Sequence, residues 1–260
     1  MLCFAAIVPS SPLILRAHED ERTKLLWSQT LKGLEMLAQQ AKTAELDYGV
    51  LISQFLVRDE IFGINVMPRI QCDLRDYGDF NEHAYTGSPR AAHELLIACA
   101  SIAAASSEKN LSGAHAIALT LLSALPSTGI VPVYLKRDAP PQECARFGRR
   151  LSEEILQSPK RYGIIALGDC TPQETAAPVQ DRKDAERASQ FEQEVIAALK
   201  RKAVSKLIDY STKHANEWQR SALPGLLTLT AIMAEISCQC KALAYEHPFG
   251  AAYLTAQYVV

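Results

Sequence analysis

The sequence lacks most of the short motifs that mark a known chemistry. Among its 260 residues there is no Gly-x-Gly-x-x-Gly, no Gly-x-x-x-x-Gly-Lys-Ser/Thr and no Gly-x-Ser-x-Gly. These absences leave no sign of a phosphate-binding loop or of a hydrolase nucleophile elbow. The six histidines are scattered, and no two lie within five residues of each other. The spacings by which one helix or strand presents two histidines to a metal are therefore absent as well.

The chain also lacks paired cysteines and a charge excess. Its seven cysteines are odd in number and form no Cys-x-x-Cys, a pattern typical of reduced thiols in a cytoplasmic protein. The formal net charge is −2, which argues against nucleic acid or an anionic membrane as a partner. Pro9 interrupts the first apolar run and no basic segment precedes it, so we expect no signal peptide. No apolar run reaches the length of about 18 residues that a membrane span needs.

What the sequence does contain is a regular alternation of apolar strands with helical patterns. The apolar runs predict strands over 2–8, 48–53, 64–70, 129–135, 161–167, 238–245 and 251–260. Helical periodicity predicts helices over 19–42, 89–104, 114–125, 141–157, 185–207 and 223–237. Continuously apolar strands that alternate with helices are typical of an α/β fold. We therefore predict one α/β domain over 1–260, with a central, mostly parallel or mixed sheet and helices on both of its faces.

In open α/β sheets, ligands bind beyond the carboxyl ends of the strands. The loops that begin at Pro9, Gln54, Lys136 and Gly168 are therefore the places where a site is expected. The first of them is a pair of serines between two prolines, at residues 9–12.

The residues in these loops leave both functional and structural interpretations open. Ser10 would be the nucleophile of a hydrolase, but no histidine and acid pair accompanies it, and a serine between prolines more often bonds local backbone groups. Asp169 follows a strand directly, where a carboxylate serves as a base or metal ligand or caps the next turn. His115, at the start of an apolar helix, and His247, before Pro-Phe-Gly, are the most interesting histidines. A lone histidine is nevertheless more often a surface residue or a satisfied core residue than a ligand.

The order of these segments resembles the LigB-like superfamily, the class III extradiol ring-cleavage dioxygenases and their MEMO-type relatives. The first strand and its loop are similar to a family opening that ends in Val-Pro-His-x-Pro-Leu, and 51–53 is similar to a strand that ends in Ser-Pro-His. Further similarities lie at Tyr77-Gly78-Asp79-Phe80, 111–122, Ile165-Ala166-Leu167-Gly168-Asp169, 191–207 and 245–255. The resemblance covers nearly the whole chain in order and implies a LigB/MEMO-like fold.

Members of that superfamily bind non-haem iron(II) through two histidines and a carboxylate, with cysteine as the third ligand in MEMO-type relatives. Here the resemblance implies that these positions, and that of the acid/base histidine, have been replaced. The equivalent pocket positions are Ser10, Ser53, Phe55, Ser112, Gly113, Asp169, Pro172 and Ser221. Phenylalanine and proline offer no lone pair to a metal, and a serine hydroxyl is a poor iron ligand. We therefore expect no metal, no cofactor and no catalytic residue.

Three hypotheses follow from the sequence and the resemblance. The leading one is a LigB-like protein without an iron site, which acts as a non-catalytic subunit or binding protein beside an active paralogous subunit or as a homo-oligomer. The second is an iron(II)-dependent ring-cleavage dioxygenase with rearranged ligands drawn from His115, Asp169, Cys170 and His247. The third is a metal-free binder of a small aromatic molecule, with Phe55 as a wall and with Ser10, Ser53 and Asp169 as polar contacts.

Overall fold

A mixed sheet of eight strands runs through the centre of the computed structural model, which describes residues 1–16, 21–58, 60–123, 128–169, 192–213, 222–248 and 252–259. The described strands are β1 Leu2–Val8, β2 Tyr48–Arg58, β3 Phe62–Asn65, β4 Arg69–Asp73, β5 His83–Thr86, β6 Ala103–Ser106, β7 Asn110–Ser112, β8 Gly129–Lys136, β9 Tyr162–Leu167, β10 Gln239–Glu246 and β11 Tyr253–Val259. The large sheet has the order β10-β11-β1-β9-β2-β8-β3-β6, and β5-β4-β7 form a small second sheet. Neighbours from β1 to β8 in that order are parallel.

Helices cover both faces of the large sheet. They are α1 Glu21–Leu26, α2 Ser28–Ala44, α3 Pro89–Ala98, α4 Ala116–Leu122, α5 Pro141–Gln157, α6 at 192–200, α7 Val204–Lys213 and α8 Leu223–Met233. Successive strand side chains point to opposite faces, so Ala5 and Ile7 join the core beneath α3, α5 and α8. Phe4 and Ala6 join the core beneath α2 and α4. The predicted α/β architecture, a mixed sheet between two layers of helices, is confirmed. No helix in the described part of the chain is long and apolar enough to cross a membrane.

The prediction of one strand over 64–70 is wrong, because β3 and β4 belong to different sheets. Pro68 lies between them and has no backbone N–H to donate to a ladder. The side chain of Asn65 accepts a hydrogen bond of 2.8 Å from the Met67 N–H, which is a local turn that leads the chain out of the sheet. The composition of the segment did not reveal this turn.

The single helix predicted over 89–104 is also wrong in its second half. Ser88 caps α3 as expected, since its side chain accepts a hydrogen bond from the Ala91 N–H and Pro89 follows it. The helix ends at Ala98, however, and the alanine-rich segment β6 pairs in parallel with β3. Alanine favours a helix, but sheet pairing overrides that weak local preference.

Two other helices differ from their predicted bounds, and the structure shows why. The helix predicted over 19–42 is divided between α1 and α2 at the fully buried Trp27. The carboxylate of Glu246 accepts hydrogen bonds from the N–H groups of Gln29 and Thr30, at 3.0 and 2.8 Å, and so caps α2 from a distant strand. Of the helix predicted over 185–207, residues 185–191 lie outside the described part of the chain. The rest is interrupted between α6 and α7 at Lys202, whose φ is 51°. The helix α5 has the bounds that the sequence predicts. The last two strands, β10 and β11, pair antiparallel.

Candidate functional site

The carboxyl ends of β1, β9 and β2 bring three of the predicted loops together. Val8 pairs with Leu167, and Ile52 pairs with Ala166, so the three strands end at nearly the same level. The residues that follow therefore lie side by side on one edge of the sheet. This edge is where Ser10, Gln54 and Asp169 make contact.

Asp169 is the centre of the first polar cluster. Its Oδ1 accepts a hydrogen bond of 3.0 Å from the backbone N–H of Ser10. Its Oδ2 accepts hydrogen bonds from the hydroxyl of Ser10 and from Nε2 of Gln54, the latter at 3.0 Å. The serine between two prolines thus fastens its own loop to the end of β9.

Burial controls the charge of this carboxyl group. It raises the pKa of Asp169 from 3.8 to about 6, although the hydrogen bonds from Ser10 and Gln54 oppose the shift. The backbone around it is also fixed, because the Asp169 carbonyl accepts a bond of 3.2 Å from the Ala222 N–H and Asp169 forms a β-bridge with Tyr253. Burial first, and then the neighbouring Asp169 carboxylate, raise the pKa of the Tyr253 hydroxyl to about 12. Asp169 is therefore held by side-chain and backbone contacts on all sides.

His115 is the centre of a second cluster. Its Nδ1 lies 3.0 Å from the Ser112 carbonyl oxygen, and its Nε2 lies 3.0 Å from Oγ of Ser53. A carbonyl oxygen can only accept, so we assign the proton to Nδ1, and Nε2 then accepts from the Ser53 hydroxyl. The same hydroxyl oxygen accepts a bond of 3.0 Å from the Phe55 N–H. Both nitrogens of this imidazole are thus already in hydrogen bonds.

The protonation state of His115 follows from its surroundings. The side chain is buried, and burial lowers the pKa of the imidazole from 6.5 to about 4. The ring is therefore neutral at physiological pH. The ring of Phe55 meets it edge-on, at a centroid distance of 6.2 Å. These contacts describe a satisfied core histidine, which is the structural alternative that the sequence analysis left open.

A bulge in β2 explains how Phe55 and Gln54 reach their positions. Ser53 pairs with Tyr134, and Val57 pairs with the next residue of β8, Leu135. The three residues of β2 between them, 54–56, therefore have no paired residue in β8. Bulges of this kind redirect side chains and are frequent beside functional sites. The sequence predicts that this strand ends at residue 53, whereas β2 continues to Arg58. The bulge interrupts the apolar pattern by which the rest of the strand could have been recognised.

The remaining predicted positions are not all part of these clusters. Gly113 is buried, and a Cβ atom there would lie 2.7 Å from the ring of Tyr77, so this glycine permits close packing. Cys170, Pro172 and Ser221 lie outside the described residues.

His247 belongs to a third cluster. Its Nε2 lies 2.9 Å from Oε2 of the buried Glu192, and the hydroxyl of Tyr245 donates to the same oxygen. Tyr245 lies near the end of β10 and His247 follows that strand, and their rings meet edge-on at a centroid distance of 4.7 Å. The contact with Glu192 was not predicted, because no pattern in the sequence links His247 to a carboxylate 55 residues away.

The described residues do not offer an iron site. Among them there is no group of three or more histidine, cysteine, aspartate or glutamate side chains that could hold a metal ion. His115, Asp169 and His247 lie in three clusters with different partners. Non-haem iron(II) needs two histidines and a carboxylate around open positions. The described edge supplies one carboxylate, that of Asp169, together with serine hydroxyls and a glutamine amide, and it lacks the two histidines that this ion needs beside the carboxylate.

A cavity of about 320 Å³ adjoins the first cluster. It lies between the carboxyl ends of β2 and β8 and the first turn of α8. Its lining residues are Gln54, Val57, Leu135, Lys136, Arg137, Asp138, Ala139 and Pro224. Two of the four loops that the sequence analysis singled out, those at Gln54 and Lys136, therefore form its walls.

Comparisons with known proteins identify the fold but no family. No model of a known protein family matches the chain, and no curated protein matches it. Among solved structures, the chain is similar to the uncharacterized protein JW3007 from Escherichia coli K12, with a TM-score of 0.63 and 15% sequence identity. The match covers 86% of this chain and 91% of that one. At this level of identity the two proteins share a fold, and the similarity says nothing more about activity.

Proposed function

We propose that this chain is a LigB-like protein without an iron site, which acts as a binding protein or as the non-catalytic subunit of an assembly. The proposal takes the resemblance of the sequence to that superfamily as its starting point. Its support from the structure is the hydrogen bonding of the described residues at the positions where an active relative would bind its metal.

The observation that carries the proposal is the closed hydrogen bonding of His115. This histidine is the one that a small shift of register would bring closest to a family ligand position. Its Nε2, the nitrogen with a free lone pair, already accepts from Ser53. A metal at Nε2 would have to displace that bond and leave the Ser53 hydroxyl, itself fully buried, without its acceptor.

The first-loop position supports the same conclusion. Ser10 stands where the resemblance places a histidine ligand, and both of its donors are directed at Asp169. Asp169 in turn accepts from Gln54. These three donors pair the buried Asp169 carboxylate without a metal ion, and buried polar groups are costly when they are left unpaired.

The test is metal analysis of protein purified from iron-supplemented medium, followed by assay with a catechol under oxygen. We expect substoichiometric iron and zinc and no ring cleavage. Stoichiometric iron that is lost in His115→Ala would contradict the proposal and favour the dioxygenase with rearranged ligands.

A gain-of-function variant tests whether the assigned positions are equivalent to the ligand positions of the family. The double substitution Ser10→His and Phe55→His places two imidazoles where the resemblance expects them. We expect it to bind Co²⁺ or Zn²⁺ more tightly than the parent chain by about tenfold or more. The control is Ser123→His together with Ile97→His, two exposed residues outside the clusters around Asp169 and His115. Equal metal binding by both double variants would contradict the assignment of these positions.

A further inference from the structure

We propose that the chain associates with a second copy of itself, and that the exposed Phe80 of one copy docks into the groove between α6 and α7 of the next. Self-association of this kind goes beyond the proposed function, because it requires neither a metal site nor the loss of one. The side chain and the groove are complementary in polarity, in size and in charge, and the fold keeps them apart within a single chain.

Phe80 is the most exposed large apolar side chain in the described part of the chain, with 80% of its surface accessible. It lies on a turn that follows the short 3₁₀ helix Arg75–Tyr77. The Asp79 carboxylate fixes this turn, because it accepts bonds of 3.0 and 2.7 Å from the backbone and side chain of Asn81 and lies 2.7 Å from Nε2 of His83. A fixed turn presents an aromatic side chain at little entropic cost, as an interface anchor requires.

The groove between α6 and α7 has an apolar floor and a volume of about 310 Å³. Its floor consists of Val195, Ala198 and Leu207, which are buried in the core beneath α5 and α8. Small-molecule pockets measure about 300 Å³ or more, so the groove has room for one aromatic ring. A phenyl ring that leaves water for this floor gains the free energy of apolar burial.

The charges around the groove and around Phe80 are of opposite sign. Arg201, Lys206 and Lys213 line the groove, are exposed, and form no ion pair with a described residue. Glu194 and Asp209 also line it, which leaves one positive charge in excess, and 192–213 as a whole holds five cations against three carboxylates. The segment 69–83 around Phe80 holds four carboxylates against two arginines. Complementary potentials of this kind favour encounter and select the orientation of two surfaces.

The two surfaces cannot meet within one chain. The floor of the groove belongs to the core on the face of the large sheet that α3, α5 and α8 cover. Leu74 and Tyr77, beside the turn of Phe80, pack in the core on the opposite face, with α2 and α4. Phe80 can therefore reach only the groove of another copy. Because the two contacting surfaces differ, the contact is head-to-tail, and repetition of it gives a ring or a longer assembly.

The experiment is sedimentation velocity of the full chain over a range from about 5 to about 500 μM, at low and at high salt. A contact made by one aromatic anchor in a small groove buries less area than a permanent interface. We expect reversible association with a Kd on the order of 10–100 μM. High salt should weaken it severalfold, because the charges on both surfaces are exposed.

One variant on each surface tests the assignment of the contact. Phe80→Ser removes the anchor and Lys206→Glu reverses a charge at the groove, and each should weaken association by at least about tenfold. The matched controls are Leu25→Ser, at an apolar side chain that is 72% exposed, and Lys32→Glu, at an exposed lysine on α2. Both controls should associate like the parent chain.

A mixture of the two variants distinguishes a head-to-tail contact from other kinds of association. The Phe80→Ser chain keeps its groove, and the Lys206→Glu chain keeps its aromatic anchor, so the mixture retains one complete contact. We expect a dimer of the two variants and nothing larger, although neither variant associates alone. Formation of that dimer also shows that both variants are folded.

Three outcomes would overturn the proposed contact: a parent chain that stays monomeric at every concentration, self-association that Phe80→Ser leaves unchanged, or a mixture of variants that forms no dimer. A monomeric chain would leave the groove to a different occupant. None of these outcomes bears on the iron content, so the proposed absence of an iron site is judged separately by metal analysis.

Discussion

The two buried titratable groups at the strand ends predict opposing effects of pH on stability. The pKa of His115 is about 4 in the folded chain against an ordinary 6.5. As pH falls below about 6.5 the unfolded chain binds a proton that the folded chain does not, so His115 makes the protein less stable. The pKa of Asp169 is about 6 against an ordinary 3.8. As pH falls below about 6 the folded chain takes up the extra proton, so Asp169 makes the protein more stable.

The magnitudes can be worked from these values. Between about pH 7.5 and about pH 5, His115 costs about 2 kcal/mol of unfolding free energy and Asp169 restores about 1.4 kcal/mol. In the parent chain the two effects therefore offset each other in large part, and a net loss of about 0.6 kcal/mol remains. Single variants should expose them: Asp169→Asn should lose about 1.4 kcal/mol more than the parent over this interval, and His115→Asn should lose about 2 kcal/mol less.

The assay is urea unfolding followed by circular dichroism, at several pH values across that interval. All other carboxylates and histidines contribute equally to each protein, so the difference between the pH profiles isolates the substituted group. Asn at 115 keeps a donor for the Ser112 carbonyl, which limits the structural damage. If the profile of Asp169→Asn runs parallel to that of the parent, Asp169 is not a buried carboxyl group of raised pKa and the account of the first cluster fails.

Two further predictions concern the framework that holds this edge. Gly148→Ala should destabilise the protein by about 1–3 kcal/mol in urea unfolding, because its Cβ would lie 2.3 Å from the Thr228 carbonyl oxygen between α5 and α8. The control Gly225→Ala, whose Cβ would meet nothing closer than 3.5 Å, should be neutral or stabilising; equal losses would contradict the close helix contact. Glu246→Gln should lower the free energy of unfolding in urea by about 1 kcal/mol, since it weakens the carboxylate cap on α2. The control Glu235→Gln, at an exposed position, should change it by less than about 0.5 kcal/mol.

Many of the strands and helices could be predicted from the sequence, because the apolar patterns that indicate them lie within short segments of the chain. Continuous apolar runs identified β1, β8 and β9, and helical periodicity identified α5 with its bounds. The rule that ligands bind beyond the carboxyl ends of parallel strands then directed attention to the edge where β1, β2 and β9 end. Ser10 and Asp169 were both named from that rule, and the structure brings them into contact.

The partners of those residues could not be predicted, since each is decided by a contact across the sheet. Gln54 reaches Asp169 across 115 residues, and Ser53 reaches His115 across 62. The bulge in β2 that carries Gln54 depends on pairing with β8. The alanine-rich segment that was predicted as the end of a helix instead pairs with β3.

The sequence by itself determined the class of fold and the edge of the sheet at which Ser10, Phe55 and Asp169 lie. Only the tertiary structure decided what those residues do. Whether a buried polar group is a ligand or a structural support depends on the donors and acceptors that the fold brings within about 3 Å of it. For His115 the fold supplies two such partners, the Ser112 carbonyl and the Ser53 hydroxyl.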